Sequence, residues 1–525
     1  MNQDLKTALK LGAQNVLGVI ARDRDYLPYW SMEFDDNGDV FSHMGWTCHN
    51  LGRWWDAVTR LEQVLPDFVV PPDVEAGMLN NAYRYFNQPD GLAFQPFEDP
   101  AWPQELELHS LREWALLLLA LIRHRNSHWA KEAAHRMGET LERIFTEPEV
   151  LPEPGSGDTY QYWKISELEY FKVVKGEPKF NHGYPMNTFG RVLGPLCWLY
   201  EETKDEVLLR LANRFAEILY RDVFMPDGTV KDITPYCHMH SSCGTVQSLI
   251  VYGQVTKQRK YIERAAVAFE KYLMPYVKRS GFCNHAIFAY DAGDPASTCD
   301  MALIARWLVD EGYEQFADYP EHLLRSRVFA AQITEPFNPP LRAWEGKCGN
   351  DTSEILNQRC IGGFNIHLAA HGRKGNTTDV TCACMHALTD LYSNTVRHSA
   401  TGLEIFLHFD FESDDLKMKV SYEEEACVRF VMKKTNAVKI RIPKWAEVLE
   451  ITADGKPIET TAMGIWTRLG KLEEGTAVCV RYSLPEDTFD ETLRNGETYT
   501  FKVRGDEVLG IKPNDCPRPF YPTLE

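Results

Sequence analysis

The sequence predicts a mainly α protein, an (α/α)6 toroid of helical hairpins over residues 1–400 followed by a β-sandwich over 401–525. Two changes of pattern carry that expectation. Up to about residue 400 apolar side chains return every three to four positions, the period of an amphipathic helix; beyond it they return every second position, the period of a half-buried strand. The helical segments also come in successive pairs separated by Pro- and Gly-bearing loops, as hairpins arranged in a ring do.

Taken in order, Leu5, Leu9, Ala13, Val16 and Ile20 mark a first helix. The clearest later ones are Leu108 to His124 (Leu111, Leu117, Leu118, Leu121), Trp129 to Phe145 (Ala133, Met137, Leu141, Ile144), Val207 to Leu219 and Ile262 to Met274. Further helical periods lie near 48–64, 187–201, 243–255, 298–311, 319–332 and 380–396, which brings the total to roughly eleven or twelve helices. Long loops interrupt them at about 146–185, 224–242, 277–297 and 333–379, and loops of that length are commonly functional. In the C-terminal part, Leu403 to Phe409, Leu416 to Tyr422, Ala437 to Ile442 and Ala477 to Tyr482 alternate, and Asp454-Gly455 is a hairpin turn signal. No repeat or flexible linker separates the halves, so the sandwich is expected to pack firmly on the helices, an arrangement that favours a homodimer.

Composition excludes several functions. With 56 Lys+Arg against 75 Asp+Glu, a net charge of −19 argues against a face that wraps nucleic acid or an anionic membrane. The 44% of hydrophobic residues is enough to build cores and excludes a disordered chain. The helical spacing near the N-terminus leaves no apolar run of signal-peptide type, and thirteen cysteines in so long a chain read as reduced thiols; both point to a cytoplasmic protein. Thirteen tryptophans would suit a cleft that stacks sugar rings, with Trp30 and Trp46 as candidates.

Three clusters inside or beside the long loops carry possible chemistry. The first runs from Asp232 through Cys237-His238-Met239-His240 to Cys243; the second is Cys283-Asn284-His285 with Asp291, Asp294 and Cys299-Asp300; the third is Thr381-Cys382-Ala383-Cys384-Met385-His386. Histidine and cysteine at such spacing can ligate a metal, while a helix start lowers a thiol's pKa by favouring its charged form. His238 and His240 read better as hydrogen-bonding groups lining a cleft. Loop carboxylates, Asp291 and Glu345 among them, supply candidates for acid/base work on a glycosidic bond.

Several of these stretches resemble the β-L-arabinofuranosidase-like glycoside hydrolases of family 127. Gly52-Arg53-Trp54-Trp55-Asp56-Ala57 looks like an early helix motif of that family, and Phe189-Gly190-Arg191 and His238-Met239-His240-Ser241 fall at two further motifs. Ala296-Ser297-Thr298-Cys299 is similar to its Ala-Glu-Thr-Cys, Thr381-Cys382-Ala383-Cys384 to its Cys-Ala-Cys-Cys, and Ile440-Arg441-Ile442-Pro443-Lys444-Trp445-Ala446 to its sandwich motif. The resemblance implies a zinc-bound cysteine nucleophile at Cys384, a zinc ligand at Cys299 and a substrate contact at His240; Cys382, Cys360, His386 or Asp300 are the candidates to complete the zinc set, and His238 and Arg191 are further candidate substrate contacts. It departs where Ser297 replaces a zinc-binding Glu, where Met385 replaces a second Cys, and where His285 stands in place of the acid/base Glu. The expected function is hydrolysis of a small oligosaccharide or glycoside. A sugar epimerase or isomerase, an unsaturated-uronide hydrolase, and a non-catalytic carbohydrate-binding protein are the alternatives.

Overall fold

A computed structural model describes residues 4–93 except 36 and 44, then 108–145, 149–152, 159–162, 185–231, 238–287, 290–345, 348–365, 368–369, 375–493, 496–516 and 518–525. The helices are α1 (Leu5–Gly18), α2 (Thr47–Val64), α3 (Pro72–Phe86), α4 (Leu111–Arg125), α5 (His128–Ile144), α6 (Phe189–Thr203) and α7 (Glu206–Ile218), followed by α8 (Met239–Val255), α9 (Arg259–Ala268), α10 (Pro295–Asp310), α11 (Tyr319–Leu323), α12 (Phe329–Ala331), α13 (Ser353–Cys360) and α14 (Thr378–Ser393).

Six of them close a ring by packing each on the next: α2 on α4, then α6, α8, α10, α14 and back to α2. Helices α3, α5, α7, α9 and α11 pack outside the helix that precedes each, and α1 lies against α14 and α2. The sequence separates the two layers. Every residue of α8 from Met239 to Gly253 and of α10 from Pro295 to Val309 is buried, as befits helices enclosed on all sides. Outer helix α7 instead buries only the stripe Val207, Leu208, Leu211, Ala212, Phe215, Ala216 and Ile218. Gly52 lets α2 and α4 approach closely, because a Cβ there would stand 2.1 Å from the Glu113 carbonyl oxygen.

Small sheets absent from the sequence expectation sit in the loops between these helices, and two of them bear on the site. One joins Ser31–Phe34, Asp39–His43, Arg342–Ala343 and Asn376–Thr377; the other joins Asn284–Ala286, Tyr290–Gly293 and Leu368–Ala369. Their strands run for two to five residues, too short to show a period.

After α14 the chain is all strand. A five-stranded sheet containing Gly402–Ile405 and Asn436–Arg441 faces a six-stranded sheet containing Leu416–Tyr422, Glu425–Met432 and Ala477–Ser483. Alternate residues of both, Leu403, Ile405, Val438 and Ile440 against Leu416, Met418, Val428, Phe430 and Val480, form the sandwich core. The last strands behave differently. Glu486–Thr492, Thr498–Arg504 and Glu507–Lys512 make a separate three-stranded sheet whose Phe501, Val503, Val508 and Ile511 join the core of the helical body.

Arg441, 1% exposed, ties the sandwich to the helices. Its Nη2 donates to Glu321 Oε2 at 2.5 Å, its Nη1 to Asp318 Oδ1 at 2.8 Å and its Nε to the Phe406 carbonyl at 2.8 Å. Glu321 is also held by Arg325 Nε at 2.8 Å and by the His408 amide at 3.2 Å. Removing one partner of a buried ion pair strands the other, so Arg441→Ala is expected to lower stability by about 3 kcal/mol or more, read from urea denaturation; an unchanged midpoint would contradict the docking role. Burial pushes the His408 imidazole down to about 4, with its Nδ1 2.7 Å from the Tyr482 hydroxyl. Because the folded value is depressed, its contribution is complete above the unfolded value of about 6.5 and is lost as pH falls toward 4, a change of roughly 3 kcal/mol. His408→Gln should flatten that part of the stability–pH curve.

Candidate functional site

Each inner helix places a polar side chain on the ring axis. Glu113 of α4, fully buried, accepts from Arg191 Nη2 of α6 at 2.8 Å and pairs with Arg53 Nη2 of α2 at 3.0 Å, with Arg112 Nη1 at 3.8 Å and His49 Nδ1 at 3.5 Å. Asp379 of α14 takes Arg53 Nε at 2.7 Å and His49 Nε2 at 2.8 Å. Asp300 of α10 accepts from Gln247 Nε2 of α8 at 3.0 Å and from His240 Nδ1. Three buried guanidiniums thus face three buried carboxylates. Burial alone would raise Glu113, Asp379 and Asp300, but the arginines and histidines beside them outweigh it and hold all three below the usual carboxylate range.

The hydrogen bonds also assign the histidines of this floor. His240 Nε2 faces Arg53 Nη2 at 2.6 Å and Arg112 Nη1 at 3.0 Å; guanidinium nitrogens only donate, so this nitrogen accepts and Nδ1–H donates to Asp300. By the same logic His109 accepts from Arg191 Nη1 at 2.7 Å and donates from Nδ1 to the Asn187 carbonyl at 3.0 Å. Burial lowers both imidazoles and keeps them neutral. Both nitrogens of each are committed to the protein, which leaves neither ring to move a proton for a substrate.

A row of rings lies over this floor. Trp46 is 4.9 Å from Trp30, 5.1 Å from His49 and 5.9 Å from His109 between ring centroids, and the row continues from His109 to His238 at 6.0 Å and His238 to His285 at 4.7 Å. Trp30, Trp46 and His238 are half-buried and form its accessible part. Trp46 caps α2 in the left-handed region at φ 45°, a conformation costly for a bulky residue and one that tends to collect at binding sites. Trp30 is fixed by the small sheet that leads into α14, where the Thr378 amide donates to the Trp30 carbonyl at 2.9 Å. The second small sheet brings His285 on its first strand, His238 through a bridge to Ala286, and Asp294, the N-cap of α10, after its second strand.

The other expected site residues scatter. Arg191, expected to touch substrate, is fully buried and bonded to Glu113 and His109, which makes it a positioning residue. Asp291 lies on Tyr290–Gly293, with its side chain outside the described residues, as are Asp232 and Cys237 altogether. Glu345 stands exposed in a turn. Cys384 contacts Cys299, and burial pushes its thiol well above the usual range. Cys382 lies beside Asp379 and Arg53 with a thiol likewise raised by burial. Cys360 belongs to a separate core with Val19, Met32 and Leu356, its thiol pushed up to about 12 by burial. Among the described residues no three of these four sulfurs come within 4.8 Å of one another, and Ser297 donates to Asp294 at 2.9 Å. The thiolate zinc set implied by the resemblance therefore does not fit this arrangement.

Sequence reasoning missed Glu113, Arg112, Asp379 and His49, and passed over Arg53 within its motif. A signal for them exists: an Arg-Glu pair inside the run Leu111 to Ile122, and charges inside helices with no polar face. A cavity of about 680 Å³ lies elsewhere, between the helices and the C-terminal sheets, lined by Arg279, His322, Trp445, Phe489 and Asp506. Its arginine and histidine are already paired, Arg279 with Asp487 at 2.5 Å and His322 with Asp506 at 2.9 Å, so the ring axis and its mouth are the better candidate for chemistry.

No family model and no curated protein matches this chain. Solved structures do. A GH127 β-L-arabinofuranosidase from Geobacillus stearothermophilus T6 superposes with a TM-score of 0.55 at 13% identity, over 88% of this chain and 76% of its own. A second GH127 β-arabinofuranosidase gives 0.59 at 12% identity over 97% and 81%, and a further glycoside hydrolase 0.57 at 11% over the same shares. The fold is therefore GH127-like, a helical toroid carrying sheets. Among the described residues no helix is long and apolar enough to cross a membrane.

Glu113 is the group whose loss tests this site. Glu113→Gln leaves three buried guanidiniums facing two carboxylates and is expected to cost about 3–5 kcal/mol, measured by denaturant unfolding; a cost under about 1 kcal/mol, the range of an exposed pair, would contradict the assigned role.

Proposed function

We propose that this chain is a glycoside hydrolase that takes a small oligosaccharide or glycoside at the toroid mouth. The observation that carries the reading is the half-buried row Trp30, Trp46 and His238, set over a charge-balanced, water-excluded floor drawn from all six inner helices. Aromatic faces suit the apolar faces of a sugar ring, and a rigid polar floor holds the reacting groups without reorganisation. Cleavage needs a proton donor for the leaving oxygen and a nucleophile or an activated water. With His109 and His240 committed and no set of three cysteine sulfurs gathered among the described residues, those tasks fall to the corner formed by His238, His285 and Asp294.

Release of reducing sugar from a panel of aryl glycosides tests this. His285→Gln and Asp294→Asn should each lower kcat/KM by at least ~100-fold, whereas Cys384→Ser should cost less than ~10-fold. The reverse order would restore the thiolate mechanism. Trp46→Ala is expected mainly to raise KM. A second reading, a sugar epimerase or isomerase, is favoured by the 4.7 Å approach of the His238 and His285 rings, since one imidazole of such a pair can take a proton from carbon while the other returns one. Solvent deuterium entering a free sugar, with no glycoside cleaved, would select it.

A further inference from the structure

We infer that His238, His285 and Asp294 form a site for a divalent cation of the zinc type. One ligand atom from each lies within 4.8 Å of the other two, on three separate elements that the second small sheet draws together. His285 Nδ1 and Asp294 Oδ2 are 3.6 Å apart, too long for a hydrogen bond but close to the edge of a tetrahedron built on metal bonds of about 2.0–2.1 Å, which is about 3.3 Å.

The surrounding groups hold the ligands as outer partners of metal sites do. His238 Nδ1 is tied to Ser241 Oγ at 3.0 Å, which turns the other ring nitrogen to the corner. Asp294 Oδ1 accepts from the Ala296 amide at 2.8 Å and Oδ2 from Ser297 Oγ at 2.9 Å. Two imidazoles and one carboxylate are a common set of three protein ligands at zinc sites that leave a position for substrate or water. The set shares no residue with the four cysteines expected from the sequence. It rests on the hydrolase reading of the mouth, because two metal-bound imidazoles cannot also shuttle protons at carbon, while the metal titration that tests it needs no sugar.

Titration of the chelator-treated, full-length protein with Co²⁺, followed by visible absorption, decides the matter on the wild-type chain. The expected result is one equivalent bound, with d–d bands and no intense thiolate-to-cobalt charge-transfer band. Calorimetry with Zn²⁺ should show affinity falling tenfold or more in H285A and D294N and unchanged in C384S, each variant being checked for a native unfolding midpoint. An intense thiolate band, equal losses in C384S and D294N, or no binding of either cation would overturn the proposal.

Discussion

Everything at the centre of this molecule depends on one carboxylate, Glu113, placed among three guanidiniums inside a closed ring of helices. An inner helix of such a ring must be apolar where it meets its neighbours, yet six such helices leave an axis that cannot be filled by hydrocarbon alone if the ring is to bind anything polar. The solution is a balance of charge: Arg53, Arg112 and Arg191 against Glu113, Asp300 and Asp379, with His49, His109 and His240 wedged among them. Isolated buried charges would cost far more than the fold could supply, so the members of this set hold one another in place.

That balance also divides the histidines by role. Rings pinned by arginine on one side and by a carboxylate or carbonyl on the other act as struts, while His238 and His285 lie at the edge where small sheets enter from the loops. The left-handed Trp46 and the Trp30 carbonyl bonded to the start of α14 set the aromatic wall at the same end of the ring. The loops thereby carry the accessible groups and the helices carry the support, the usual division between a scaffold and its site.

Much of the fold was legible because it is written in periodicity. The shift from a spacing of three and four to a spacing of two marks where α14 ends and the sandwich begins, and the unbroken burial of Leu111 to Ile122 in α4 and of Met239 to Gly253 in α8 follows from their place inside the ring. The rest was not legible because it depends on contacts distant in sequence. His49 meets Asp379 across 330 positions, and nothing local to either residue announces the other. The small sheets of the loops are not legible because their strands are too short for a period to develop, and the strands of 486–512 alternate like those of the sandwich although they pack on the helices. The cysteines were conspicuous in the sequence for their spacing, but spacing on a helix does not say which side chains meet, and Cys360 lies in another core.

The proposed hydrolase takes its sugar at the mouth of the ring, and not in the cavity between the helices and the C-terminal sheets. A crystal structure of the full chain soaked with a reducing sugar released in the aryl glycoside panel would separate the two. The sugar ring is expected against Trp46 and Trp30, with its anomeric carbon toward His285 and Asp294. Sugar bound only beside Arg279, His322 and Asp506, with the mouth unchanged, would contradict it.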